Sequence, residues 1–577
     1  MSKFVRSCIA TLALAVLLQG ASDPVSKYVD WRYRPQRIQI KNVEGLQERI
    51  VDGKLHLRLK DFLMLVLKNS TDIQLTRLDV YTAADQILSA KAPFDPTLAL
   101  GYNTLRTVSP PFFEVGGTGT ILGTGTGQSS GTGVTTSPGV TTSPGLTQIG
   151  LPETLSSLSS NSVATYNQLL PTGQTVTATF DVNRTSGEGL PAPTLFGSLN
   201  ISLTQPLLQN RTNIQARGPL MIARTQLLIS TDKSEASIGN AVANAARQYW
   251  TAVQARDSIK VGQQNVSLAQ KSYDRDKQAL DLGALAKLDI YQSETQVAER
   301  NRDLVFAQHT YKAALDGLRR LIGADLTPAL RETEMVLDDD ASAIPERSAI
   351  LPFEQALAKA NQERPELRAA VRATSIDDLN ARIAHDALTP RLDLSVQGGA
   401  TGPSFNQLSA TSGTTVTASS FPGLGTTLGQ VLAFDYPSYG FGLQLTFPFR
   451  NSTAQASLSD ALVNKARDEY TKRQVQQQII YDVRQAIDAI DLADASIEAA
   501  IRARDLAQKN VSAEQQKYEL GTITAFEVLD SQSRLASSES ALLNAYVTYQ
   551  QAYIDYQRST WTLLDGLGMV IESPRVR

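Results

Sequence analysis

The stretch that decides the fold is residues 518–556, YELGTITAFEVLDSQSRLASSESALLNAYVTYQQAYIDY. It opens with a glycine turn at Gly521 and continues as a seven-residue repeat. The two repeating positions hold Leu535, Leu542, Tyr549 and Tyr556 and, three residues after each of them, Ser538, Ala545, Ala552 and Ser559. Spacings of three and four residues predict a long helix that packs against other helices along one face.

The same stretch occurs twice. Gly283, Val297, Leu304, Tyr311 and Leu318 match Gly521 and the four larger repeat residues at a constant displacement of 238 residues (521 − 283). An upstream helix predicted over residues 57–91 matches residues 351–385 at a displacement of 294 (390 − 96). Internal repetition predicts one architecture built twice. We therefore expect a first repeat at 57–323, a linker at 324–350 and a second repeat at 351–567, flanked by an arm at 22–56 and a tail at 568–577.

Composition and the N-terminus limit the function classes. A net charge of −3 in 577 residues gives no reason to expect nucleic acid as a partner. Residues 1–21 have the basic start and short apolar core of a secretory signal peptide. The single cysteine, Cys8, lies inside that segment, so the mature chain is expected to have no disulfide and no thiol chemistry.

Four strands are predicted, two in each repeat. Apolar and small or polar residues alternate after Pro96 and Pro390 and again before Pro206 and Pro448. We place these four prolines at the junctions between strands and helices, where the missing N–H ends a helix. On the polar face of the second pair lie Asp393, Ser395, Gln397, Gln444 and Thr446. One apolar face and one polar face are typical of strands in a membrane barrel.

Long loops are expected to connect the strands. Residues 108–160 are rich in Gly, Ser and Thr and repeat TTSPG, so we predict a loop without a core. Residues 400–436 are its counterpart in the second repeat. Residues 174–182 are expected to form a further strand or a hairpin above the main sheet.

The predicted fold class is mixed α+β and mainly α. Helices predicted over residues 212–282 and 453–520 would each extend roughly 105 Å at 1.5 Å per residue. Four strands cannot close a barrel by themselves, and a sheet in a membrane cannot keep open edges. Three copies would supply a twelve-stranded transmembrane barrel, below which the antiparallel coiled-coil helices would form a trimeric α-barrel tunnel. The expected surroundings are therefore a homotrimer and outer-membrane lipid.

Several segments resemble the TolC-type outer-membrane efflux proteins over residues 57–567. The most specific are FDPTL at 94–98, TQPLL at 204–208, ALDLGALAKLDIYQSE at 279–294 and KYELGTITAFEVLDSQ at 517–532. The resemblance implies a homotrimeric exit duct in the outer membrane of a Gram-negative bacterium, with a long periplasmic portion. It also implies a periplasmic adaptor and an inner-membrane pump as partners, with Gly283 and Gly521 at the tips that contact the adaptor.

The resemblance also implies a periplasmic gate. The residues at its matching positions are Glu527, Asp530, Asp289 and Tyr518. The family's arginine two residues after the second turn glycine is replaced by Ile523, so the closed state must be held in another way. Taken without the resemblance, Glu527 and Asp530 are better explained as part of a solvated helix face.

No enzyme, cofactor or metal site is predicted. His56, His309 and His385 lie in separate segments without the spacing of metal ligands, and the chain has no phosphate-binding glycine loop and no GxSxG turn. The alternative function is a periplasmic coiled-coil adaptor, which would have one helical hairpin and no amphipathic strands between repeated helices. A plain porin-like barrel would leave the helices unexplained.

Overall fold

A computed structural model describes residues 50–51, 54–109, 155–187, 193–282, 287–326, 331, 333–345, 347, 350–404, 408–411, 415–418 and 423–566. The predicted signal peptide, nearly all of the predicted arm and the C-terminal tail lie outside the described residues, as does Gly283. The chain divides into two compact units. One contains residues 1–71, 245–343 and 502–547, and the other contains residues 72–244, 344–501 and 548–577.

In chain order the helices are α1 (Leu59–Asn69), α2 (Thr71–Lys91), α3 (Ile214–Asp281), α4 (Lys287–Ile322), α5 (Phe353–Glu363), α6 (Pro365–Asp386), α7 (Leu424–Ala433), α8 (Ser452–Glu519), α9 (Ala525–Ser559) and α10 (Leu563–Gly566). The strands are β1 (Ile50–Val51), β2 (Lys54–Leu57), β3 (Thr97–Ser109), β4 (Leu155–Leu169), β5 (Thr175–Gly187), β6 (Thr194–Pro206), β7 (Glu334–Leu337), β8 (Arg391–Ser404), β9 (Leu408–Thr411), β10 (Thr415–Ala418) and β11 (Tyr436–Thr446).

The long helices form where the periodicity predicts them. Helices α3 and α8 have 68 residues each, and their ends differ by at most two residues from the predicted ones. Along α8 the buried positions recur at spacings of four and three: Ile479, Val483, Ala486, Ile490, Ala493 and Ile497. Each buried Ile or Val side chain contributes about 1.5–3 kcal/mol, so this apolar face stabilises the helix far more than intrinsic propensity does. Among the described helices, none is long and apolar enough to span a membrane.

The two helices that precede the strands are each broken. Single helices over residues 57–91 and 351–385 were expected, but α1 gives way to α2 at Ser70 and α5 gives way to α6 at Arg364. Both break residues are buried and extended, with ψ of 125° and 121°, and they lie 294 positions apart (364 − 70). The second break has an evident cause, since Pro365 disfavours a helical conformation at the residue before it. Both repeats therefore share the same interruption.

A small sheet joins the end of the predicted arm to the predicted linker. Strand β2 pairs antiparallel with β1 and parallel with β7, so that Leu57 lies opposite Leu337. The Tyr249 hydroxyl donates to the Leu57 carbonyl at 2.9 Å and to the Asp339 carboxylate at 2.8 Å. Burial, followed by the nearby Asp339 charge, raises the pKa of Tyr249. The tyrosine therefore stays a neutral donor that fixes this sheet on α3.

The main sheet has six strands in the order β11-β8-β6-β5-β4-β3, all antiparallel. The expectation of four strands per chain is wrong, because β4 and β5 form a hairpin between β3 and β6. Three such sheets would not add up to twelve strands. The hairpin escaped the sequence analysis because β4 is composed largely of Ser, Asn and Thr, without a clear apolar alternation. Its hydroxyls instead take part in cross-strand contacts such as Thr104 to Ser160 at 3.1 Å.

The predicted loops are shorter than expected. Residues 108–109 end β3 and residues 155–160 begin β4, so only 110–154 of the predicted 108–160 loop lies outside the described residues. Residues 175–182 belong to β5 and lie within the main sheet rather than above it. The predicted loop at 400–436 contains the end of β8, the hairpin β9–β10 and helix α7.

The sheet has one apolar face and one polar face. The apolar face carries Leu98, Leu100, Tyr166, Phe180, Leu199, Ile201, Leu394, Val396, Phe441 and Leu443, whereas the opposite face carries Asn103, Asn161, Asp181, Asn183, Asn200, Asp393, Gln397 and Gln444. Near the ends of β6 and β8, α7 covers the apolar face. The paired glycines Gly197 and Gly402 lie under Thr427 and Val431.

Candidate functional site

The turn between α8 and α9 is a glycine-capped helix end. Gly521 has φ of 74° and donates its N–H to the Tyr518 carbonyl at 2.9 Å, and Thr522 donates to the Lys517 carbonyl at 3.0 Å. These two bonds form the Schellman pattern, in which a left-handed residue satisfies the last carbonyls of a helix. A Cβ at Gly521 would meet nothing within 4 Å, so the glycine is required for its conformation rather than for packing.

The predicted gate acids lie just after this turn. Glu527 is in the first turn of α9, and both Glu527 and Asp530 are exposed. Asp530 forms an ion pair with Arg534 at 2.8 Å, one turn further along the helix. An exposed pair at this spacing contributes only about 0.3–0.5 kcal/mol. The larger effect of Arg534 is on the local charge. Together with Glu527 and Asp530 it leaves one net negative charge per chain on this part of α9 instead of two.

Tyr518 takes part in a buried polar cluster. Its hydroxyl donates to Asp276 at 3.1 Å, and Ser293 donates to the other carboxylate oxygen. The Arg275 guanidinium lies 4.6 Å from the centroid of the Tyr518 ring and 3.6 Å from the Asp276 carboxylate. Asp276 is 1% exposed. Hydrogen bonds to a charged group contribute about 1.5–3 kcal/mol, so this cluster holds α3, α4 and α8 together more strongly than the exposed ion pair of α9 could.

A second polar contact lies further along the same helices. The Gln532 amide donates to the Ser272 hydroxyl at 3.0 Å, and both side chains are buried. Arg300 of α4 donates to the Ser533 hydroxyl at 3.0 Å. Polar pairs at positions that face other helices fix which residues meet, since a shifted alignment would leave them buried without partners.

The structure describes only some of the other predicted site residues. The backbone of Asp289 belongs to α4, but its side chain and the whole of Gly283 lie outside the described residues. Ile523 is half-buried in the turn. The four junction prolines lie at strand ends: Pro96 and Pro390 directly precede β3 and β8, Pro206 is the last residue of β6, and Pro448 follows β11 by two residues.

Sequence reasoning missed Asp276, Ser293 and Arg534. A signal for Asp276 existed, because Ala269, Ser272 and Asp276 continue the three-and-four spacing of buried positions along α3. An acid at such a position predicts a buried partner. Among the described residues, no group of three or more His, Cys, Asp and Glu side chains is placed to hold a metal ion.

The chain is similar in sequence to known proteins. The profile of the family described as "Outer membrane efflux protein" matches residues 175–324 and 356–559. The chain is 22% identical over 333 residues to the outer membrane protein TolC of Salmonella enteritidis, covering 57% of this chain and 62% of that protein. It is 22% identical over 394 residues to the outer membrane protein TolC of Vibrio cholerae serotype O1, covering 67% of this chain and 81% of that one.

The fold also resembles solved structures. One such structure is a crystal structure of CusC, reported with the conformational changes that accompany its folding and transmembrane channel formation. It aligns with a TM-score of 0.59 and 16% sequence identity, covering 91% of this chain and 96% of that chain. At this identity the likeness concerns the fold. It supports a mixed and mainly helical α+β architecture for the whole described chain.

Proposed function

Because the chain belongs to the outer membrane efflux protein family, we propose that it is the exit duct of a tripartite efflux or type I secretion system. The protein is an outer-membrane transport protein, as its family and curated relatives are. In the proposed assembly, three copies form the duct. A periplasmic adaptor and an inner-membrane pump deliver solutes to its helical end, with the Gly521 turn, and Gly283 at the matching place in the first repeat, at the tips.

The observation that carries the proposal is a two-faced sheet whose strands lie, along the chain, between repeated helices. Phe441 and Tyr439 on β11 are 81% and 92% exposed, and both belong to the apolar face. Exposed aromatic side chains along one face of a strand are favourable in contact with lipid. The opposite face, which carries Asp393 and Gln397, is favourable in contact with water. A coiled-coil adaptor would not contain amphipathic strands between repeated helices.

In the proposed mechanism, the polar face lines the passage and the acidic turn selects what enters it. Glu527 and Asp530 are three residues apart and therefore share one face of α9. Three chains would bring six carboxylates and three Arg534 guanidinium groups to one aperture. The net negative charge would attract cations and repel anions. Asp289 would join this aperture from the first repeat, and the Tyr518–Asp276 contact would help to keep it narrow in the absence of an arginine at Ile523.

The test is conductance in planar bilayers. Glu527→Gln combined with Asp530→Asn should reduce cation selectivity and weaken block by trivalent cations, because six carboxylates are lost and the Arg534 guanidinium groups then offset the remaining Asp289 carboxylates. Neither acid has a buried contact, so the assembly should remain intact on a native gel.

A matched control uses the opposite charge. Arg534→Gln removes the cation beside Asp530 and should raise cation selectivity. Unchanged selectivity in both variants would place the three side chains outside the passage. Absence of any conductance from the purified wild-type protein would instead favour the adaptor alternative.

A further inference from the structure

We propose that three copies of this chain close an eighteen-stranded sheet, in which β3 of one copy pairs with β11 of the next. This inference rests on the proposed trimer. It specifies which strand edges of neighbouring copies pair and how wide the resulting barrel is. Within the part of the chain that the structure describes, β3 pairs only with β4 and β11 only with β8. Each edge therefore presents a row of backbone groups that need a partner in lipid.

The directions of the two edges suit each other. The sheet is antiparallel throughout and has an even number of strands, so β3 and β11 run in opposite directions. Residues Leu98 and Leu445 are both close to the strand ends that adjoin helices α2 and α8. A second copy placed beside the first therefore continues the antiparallel pattern without a break.

The edges also match in character. Leu98, Leu100 and Tyr102 of β3 lie on the apolar face and are 67%, 76% and 70% exposed. Phe441 and Leu443 of β11 lie on the same face, 81% and 63% exposed. Pairing these strands continues both the apolar band and the polar face across the boundary between copies.

The hairpin β4–β5 belongs to the barrel and not to a loop. It pairs over nearly its full length on both sides. Residues Leu155–Asn167 of β4 pair with β3, and residues Thr175–Thr185 of β5 pair with β6. Phe180 and Val182 lie on the apolar face, and Asp181 and Asn183 on the polar one. The hairpin therefore obeys the same two-faced rule as the other four strands.

The turn of this hairpin is anchored at the junction with the helices. Gly173, at φ of 95°, closes the turn by donating to the Leu170 carbonyl at 2.9 Å. The Asn213 side chain, which is fully buried, donates to the carbonyls of Leu170 and Pro171 at 3.3 Å and 3.2 Å. Asn213 directly precedes α3, so the hairpin crosses the full height of the sheet.

The consequence is a wider outer opening. Strands about 4.8 Å apart and tilted by about 40° give a diameter of about 36 Å for eighteen strands and about 24 Å for twelve. A sheet of this size leaves a water-filled passage, as porins of sixteen to eighteen strands do.

The experiment combines imaging with cysteine cross-linking of the purified full-length protein. Particles viewed along the barrel axis by electron microscopy should show a strand wall about 36 Å across. In a Cys8→Ser background, Asn103→Cys with Asn161→Cys should form a disulfide within one chain, because these residues are paired across β3 and β4. Ala99→Cys combined with Gly442→Cys, Gln444→Cys or Thr446→Cys should join neighbouring chains in at least one combination.

Different outcomes separate this inference from the proposed function. Three chains by native mass spectrometry, a wall about 24 Å across and a disulfide between Asn103→Cys and Asn200→Cys would show β3 beside β6, with the hairpin outside the barrel. That result overturns the eighteen strands and leaves the exit duct intact. A stoichiometry other than three would contradict the proposed trimer itself.

Discussion

The carboxyl of Asp377 on α6 lies in a setting that resists its ionisation. Burial, followed by the neighbouring Asp468 carboxylate on α8, raises its pKa from 3.8 to about 6. The other charged groups that face it are Asp378, which also raises its pKa, and Lys465, which lowers it. The folded protein therefore holds this proton more tightly than the unfolded chain does.

Because of this tighter proton binding, the folded state is more stable at low pH than at high pH. The stability from the bound proton is fully present below about pH 4 and is lost as the pH rises through about 6, and it amounts to no more than about 3 kcal/mol. Thermal unfolding of the wild type should occur at lower temperature at pH 7.5 than at pH 5. Asp377→Asn keeps the shape without the charge, so it should remove most of this difference and raise the unfolding temperature at pH 7.5.

Asp378→Asn is the matched control. Asp378 is half-exposed and forms an ion pair with Lys465 at 2.7 Å. Its removal should leave most of the fall in stability between pH 5 and pH 7.5 in place. A fall of the wild-type size in Asp377→Asn would mean that another group carries the effect.

At the Gly521 turn, sequence reasoning found the exposed residues and missed the buried ones. The exposure of Glu527 and Asp530 follows from their place in the repeat, since they fall between the predicted core positions. The partner of Tyr518 could not be predicted in the same way. Asp276 comes from a different helix, and its meeting with Tyr518 depends on how the helices are aligned. Single-helix periodicity does not give that alignment.

At the scale of elements, the contact between α7 and the sheet depends on two glycines. A Cβ at Gly402 would lie 2.5 Å from the Thr427 carbonyl oxygen and 2.9 Å from a Val431 methyl. Since a backbone oxygen cannot move aside like a flexible side chain, Gly402→Ala should displace α7 or cost about 1–3 kcal/mol. A single cysteine in place of Val431, which is fully buried, reports the change by its reaction with a polar maleimide.

Gly398→Ala is the control on the same strand and the same face. A Cβ there would meet only the Ser438 carbonyl oxygen, at 3.9 Å, which is ordinary contact. The thiol at position 431 should be labelled faster in Gly402→Ala than in the wild type and stay protected in Gly398→Ala. Equal labelling of all three proteins would show that α7 does not depend on this close approach.

The elements that were predicted well are those in which a regular spacing of apolar residues repeats many times. The 68-residue helices needed only their spacing of apolar positions, which repeats many times along each helix. Strand β11, with Tyr439, Phe441, Leu443 and Leu445 at every second position, was equally clear. The apolar residues of strand β4 do not alternate clearly with polar ones, so its identity depends on pairing with β3 and β5. Ser70 ends α1 through local backbone geometry, which a period of 3.6 residues cannot reveal.

At the scale of the whole molecule, the two repeats differ most in the sheet. The first repeat contributes β3, β4, β5 and β6, whereas the second contributes β8 and β11. The matching helices keep the same breaks and nearly the same lengths. Insertion of a hairpin leaves strand directions unchanged because it adds two strands, so the architecture can accept it without reversing an edge.

Strand direction also predicts which part of the chain faces outward. Helix α2 leads into the start of β3, and the turn at residues 170–174 meets the start of α3, so residues 110–154 connect the opposite ends of β3 and β4. If the helices lie in the periplasm, as the proposed exit duct requires, this connection lies outside the cell. An epitope tag inserted beside Gly131 should therefore be labelled on intact cells.

A tag inserted after Leu520, beside the Gly521 turn, provides the comparison. It should be labelled only after the outer membrane is made permeable, because the proposed duct places this turn at its periplasmic end. Both insertions avoid the described strands, so both proteins should assemble. Labelling of the Leu520 tag on intact cells, with the Gly131 tag protected, would reverse the topology. The polar face could still line a passage, but the acidic turn would then face the outside and could not receive solutes from a pump.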